Sequence, residues 1–104
     1  MINSLNETVE LMLSSDYKDR FKAEYYQLEY RYNKLKKMMD DWDSGTLSFT
    51  PTCPYDCYEA QMVYMKTYMD VLQARAEIEN IDLDETITFT RTIKDGDLLI
   101  PLRK

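Results

Sequence analysis

Two stretches of the chain repeat one apolar rhythm over the same length: Phe21, Tyr25, Leu28, Tyr32, Leu35, Met39 and Trp42, then Tyr58, Met62, Met65, Met69, Leu72 and Ala76. Steps of four and three residues mark the seam of an α-helix packed lengthwise on another. Each run is about 22 residues, or roughly 33 Å of helix. The pair is therefore expected to lie antiparallel with its ends in register.

Punctuation along the chain frames these helices. Asn3 to Leu13 carries Leu5, Val9, Met12 and Leu13 at helical spacing, which predicts a short helix over 3–13. Ser14, Ser15 and Asp16 offer caps for a long helix over 16–43, ended by Ser44 and by Gly45, which suits a left-handed position. Residues 44–53 read as a loop with a short extended arm, since Leu47 and Phe49 alternate with Thr46, Ser48 and Thr50. Pro54 would open a second long helix over 54–80, because a missing N–H costs nothing at the first helical position. Asp40, Asp41 and Asp43 stand at the end of the first long helix, where its dipole disfavours negative charge.

The period changes from about 3.6 to 2 near the C-terminus. Ile87, Phe89 and Ile93 alternate with Thr86, Thr88, Thr90 and Thr92, and Asp95-Gly96 supplies a tight turn before Leu98 to Leu102. A β-hairpin over 86–102 is expected, with Pro101 at an edge. The reading is mainly α with this β addition (α+β): one domain, 1–104, built as an antiparallel long-helix hairpin.

Composition narrows what such a fold can do. The formal charge is −6, so bulk nucleic acid is repelled overall. No run of about 18 uncharged residues could span a membrane, and the acidic N-terminus does not resemble a secretory signal, so a cytosolic location is expected. There are two cysteines, Cys53 and Cys57, and no histidine, too few ligands for an ordinary zinc site. Without histidine, a Gly-rich phosphate loop or a nucleophile in a recognisable setting, no catalytic machinery is legible, and no cofactor is called for.

Binding is the remaining class. Tyr26, Tyr30, Lys34 and Lys37, with Arg31 beside them, share a helical face turned away from the seam. Flat rings beside cations suit a small nucleotide, because bases stack on rings while phosphates seek positive charge. The same residues also suit a protein contact, with lysines at its rim. The seam alone buries too little apolar surface to offset the ordering of two long helices. Tyr64, Tyr68 and Val71 form a second stripe on the second helix, and with Ile87 and Phe89 they are the expected surface of a homo-oligomer.

The segment DYKDRFKAEYYQL at 16–28 and the segment QMVYMKTYMDVLQARAEIENIDL at 61–83 together resemble a family of small phage and prophage helical-hairpin proteins of the crAss-like-phage-related type. The likeness spans 16–83 and rests on a long helix, a Thr/Cys-Pro break and the pattern Gln61, Met65, Tyr68, Leu72 and Arg75. It implies a phage protein acting in the cytoplasm of a bacterial host. The function expected on this basis is a non-catalytic, anti-defence binding protein that sequesters a nucleotide immune signal or blocks a host defence protein. Two alternatives are a coiled-coil assembly module of the phage with no ligand, and a nucleic-acid mimic presenting Asp40, Asp41 and Asp43.

Overall fold

The computed structural model describes residues 2–83. A 3-10 turn, Leu5–Thr8, runs into a short helix α1, Val9–Met12; two long helices follow, α2 at Tyr17–Ser44 and α3 at Tyr55–Glu79. The expected short first helix is thus a 3-10 turn and a single α-turn rather than one continuous helix. No strand occurs among the described residues, and Ser48 and Phe49 form a bend in place of the expected extended arm. The β-hairpin expected over 86–102 lies outside the described residues.

Local chemistry sets the helix ends. Asp16 is extended at φ −87° and ψ 122°, and its carboxylate accepts the Lys18 backbone N–H at 2.9 Å, capping α2. Gly45 ends α2 at φ +79°, and the Thr46 N–H donates to the Asp41 carbonyl at 2.9 Å. Asn80 ends α3 the same way at φ +59°, with the Ile81 N–H donating to the Ala76 carbonyl at 2.8 Å. Both ends use a left-handed residue to satisfy carbonyls that the helix leaves open. Pro54 is the N-cap of α3 rather than its first helical residue: its ψ of 153° is extended.

The acids at the end of α2 are compensated side by side. Lys36 pairs with Asp40 at 3.1 Å and Lys37 with Asp41 at 2.9 Å, one helical turn apart, while the Tyr55 hydroxyl donates to Asp43 at 2.9 Å. Neighbouring cations offset the unfavourable dipole.

The helices pack antiparallel, and the seam is most deeply buried at one end, with Met39 also buried towards the loop. Phe21, Tyr25, Met69, Leu72 and Ala76 are buried at the α2 start and α3 finish, where Ile81 and Leu83 complete the core. Tyr25 is fully buried, and Gln73 Nε2 donates to its hydroxyl at 2.6 Å, so the largest ring of the core keeps its polar atom satisfied. Towards the loop, Leu35, Tyr58, Met62 and Met65 are only half-buried. There Trp42 meets Tyr55 and Tyr58 edge to face, at 4.9 and 5.9 Å between ring centres.

This gradient has a thermodynamic signature. Leu72→Ala, at 1% exposure, is expected to cost about 3 kcal/mol, the middle of the range for a buried leucine. Leu35→Ala, half-buried on the open side, should cost less than half of that. Urea unfolding followed by circular dichroism checks both.

Candidate ligand-binding site

Where the seam opens, α2 and α3 enclose a groove of about 450 Å³. That volume falls within the range of small-molecule sites. Tyr32, Lys36, Met39, Asp40 and Asp43 line it from α2; Tyr55, Glu59, Met62, Val63, Lys66 and Thr67 line it from α3. Met39 and Met62 give it an adaptable apolar surface. Tyr32 and Tyr55 supply a ring from each helix. The helix register puts Lys36 one turn after Tyr32 and Lys66 one turn after Met62, so each helix contributes one cation to the groove.

The cations are held by weak pairs. Lys36 sits 3.1 Å from Asp40 and Lys66 2.8 Å from Asp70, each an exposed contact across one helical turn. Such pairs are worth about 0.3–0.5 kcal/mol, so either lysine can leave its aspartate at little cost. Asp40, Asp43 and Glu59 leave acceptors for hydroxyl or amino donors on the same ligand.

The tyrosine and lysine face expected from the sequence is divided in the fold. Tyr26 is 7% exposed and belongs to the core, because the N-terminal segment covers that side of α2. Ile2 and Leu11 pack against this core, and Gln27 Nε2 donates to the Thr8 hydroxyl at 2.8 Å. Tyr30 is half-buried with the Lys34 ammonium 5.5 Å from its ring centre. Arg31 and Lys37 are exposed, and Lys37 is engaged by Asp41. Tyr26 is closed to a ligand in this protomer, and none of these five residues lines the groove between α2 and α3. Tyr32 was legible only as a seam residue, and Lys36 only as its neighbour. Their role depends on the seam opening beside them, which no periodicity encodes.

Of the residues expected at an oligomer contact, Tyr64 is 71% and Tyr68 45% exposed, while Val71 is half-buried. Ile87 and Phe89 lie outside the described residues. The Tyr68 hydroxyl donates to Glu24, bridging α3 to α2, and Arg75 Nη2 donates to the Tyr17 hydroxyl at 2.6 Å with its guanidinium 4.9 Å over the Phe21 ring. The hydrogen bond to Glu24, then partial burial, raises the Tyr68 phenol above its ordinary value, and Asp43 does the same at Tyr55. Among the described residues no three His, Cys, Asp or Glu side chains gather as metal ligands. No described helix is long and apolar enough to cross a membrane.

These features define a helical-hairpin protein with an open groove lined by aromatic rings and by charges of both signs. The sequence model of one family, Sequestin, matches residues 15–78, more than half of the chain. The chain belongs to the Sequestin family. Its matched span falls on the two long helices and their connection, which are also the walls of the groove. No curated protein and no solved structure matches the chain. The family name denotes sequestration, a binding role rather than a catalytic one.

The raised Tyr68 phenol gives a pH prediction with a fixed sign. Its bond to Glu24 exists while the phenol is protonated, so its contribution is present below the unfolded value of about 10 and is lost as pH rises through the raised folded value. Tyr68→Phe should lower the melting temperature slightly at neutral pH. The difference from the wild type should vanish in strong alkali, as measured by thermal scans across pH.

Proposed function

We propose that this chain is a non-catalytic, phage-encoded anti-defence protein, acting as a homo-oligomer in the bacterial cytoplasm, that sequesters a nucleotide immune signal in the groove between α2 and α3. The observation that carries this reading is the groove itself: Tyr32 and Tyr55 beside Lys36 and Lys66, over methionines. A base stacks on a ring, a phosphate replaces an aspartate on a lysine, and ribose hydroxyls donate to the carboxylates. The chain has no histidine, and the groove's carboxylates, Asp40, Asp43 and Glu59, accept hydrogen bonds from a ligand that is held intact. The family's name supports the sequestering part of this reading, and the resemblance to phage hairpin proteins supports its setting.

Calorimetry against cyclic mono- and dinucleotides tests it. At least one should bind and be recovered unaltered after the protein is denatured. Trp42, the only tryptophan, touches Tyr55 at the groove's edge, so its fluorescence should report occupancy. Tyr32→Ala should weaken binding by about 5- to 150-fold, the worth of one stacked base. Lys36→Ala and Lys66→Ala should also weaken it and flatten its salt dependence. Absence of heat with every nucleotide, in a protein that still protects phage, would redirect the search to a host defence protein.

A further inference from the structure

Helix α3 is apolar on two opposite sides, and among the described elements α2 packs on one of them. On the other side a single stripe runs Ala60, Val63, Thr67, Val71 and Ala74, the first two exposed and the last three half-buried. At 3.6 residues per turn, all five fall within about 40° of one line along the helix, roughly opposite the seam positions Met69, Leu72 and Ala76. The stripe carries no charge, and Val63 is 55% exposed. A helix that is apolar on both sides needs two neighbours.

The order of residue types on this stripe is a palindrome. Reading outward from Thr67, four residues lead to a valine in each direction and three more lead to an alanine. A two-fold axis through Thr67 would set Ala60 against Ala74 of a second copy, Val63 against its Val71, and Thr67 against its Thr67. An isologous interface requires such self-matching, since each residue must suit the partner of its own symmetry mate. Small residues at the stripe's ends would let the two helices approach closely.

The flanks are compatible with the same axis. Lys66 and Asp70 lie on one side of the stripe, one residue before and three after Thr67. The rotation brings Asp70 and Lys66 of the second copy equally near to Lys66, each about 3 Å away along the axis, so the two pairings offset one another. Tyr64 and Tyr68 lie on the other side and would meet the same pair of rings from the second copy. Their ring surfaces are exposed in the single chain, Tyr64 to 71%.

From this we infer that α3 docks on α3 of a second copy, antiparallel, about a two-fold axis through Thr67. The inference deepens the homo-oligomer of the proposed function and adds a consequence for the groove. Val63, Lys66 and Thr67 form its outer lip as well as this contact, so the second copy would stand at the edge of each groove and supply part of its wall. One dimer would carry two such sites, related by the axis.

Disulfide trapping in the full chain, with the exposed Cys53 and Cys57 changed to serine, tests the geometry. Thr67→Cys lies on the axis and should link to itself under mild oxidation. Ala60→Cys alone should not, because its symmetry mate would be about 21 Å away along the helix, far beyond disulfide reach. An equal mixture of Ala60→Cys and Ala74→Cys chains should link to each other. Val63→Glu should turn the dimer into a monomer by light scattering while helicity stays unchanged. A wild-type monomer, a dimer that persists in Val63→Glu, or Ala60→Cys linking to itself as readily as Thr67→Cys would overturn the axis. Absence of every nucleotide signal from the wild-type protein, shown to be a dimer by light scattering, would instead sink the sequestration reading and leave the dimer standing.

Discussion

The burial of Tyr25 between α2 and α3 is the constraint on which the arrangement depends. A tyrosine ring with no exposed surface must have its hydroxyl satisfied from within, and Gln73 does this across the helix pair. That single bond fixes the register of one helix on the other at their closed end. Phe21, Leu72 and Ala76 then pack at the same end, and Arg75 lies over Phe21 while bonding to Tyr17. The strongest contacts of the pair are gathered within a few turns.

Concentrating the core at one end has a consequence at the other. The helices continue beyond the most buried layer, but apart from Leu35 and Trp42 their seam residues there are tyrosines and methionines, which tolerate partial exposure better than a leucine core would. Trp42 braces Tyr55 and Tyr58 at the loop, so the helices are tied at both extremities with a gap between. The groove is that gap. Its position follows from how the apolar volume is distributed, and its chemistry follows from the polar neighbours of the seam, Lys36 and Lys66 among them.

Tyr26 and Tyr32 show how a tertiary contact exchanges the roles of two similar residues. On a bare helix, Tyr26 faces away from the seam and Tyr32 lies on it, so the first suggests a surface and the second a core. Docking of the N-terminal segment buries Tyr26, while the widening of the helix pair opens Tyr32 to the groove. Both outcomes depend on elements distant in sequence, and a local period carries no information about them. The acids at the end of α2 make the opposite point. Asp40 and Asp41 are unfavourable for the dipole, yet their partners Lys36 and Lys37 stand one turn back and could be found by spacing alone.

What the sequence by itself determined is the pair of long helices, their antiparallel run and their ends. These follow from a 4-3 apolar step, an aspartate cap, a left-handed glycine and a proline break, all of which act within a turn or two of the backbone. Only the tertiary structure decided where the pair closes and where it opens, because that depends on which side chains from separate segments share one volume. Among the described residues the same packing places no helix on the palindromic side of α3, turning a pattern that was always present in the chain into a surface.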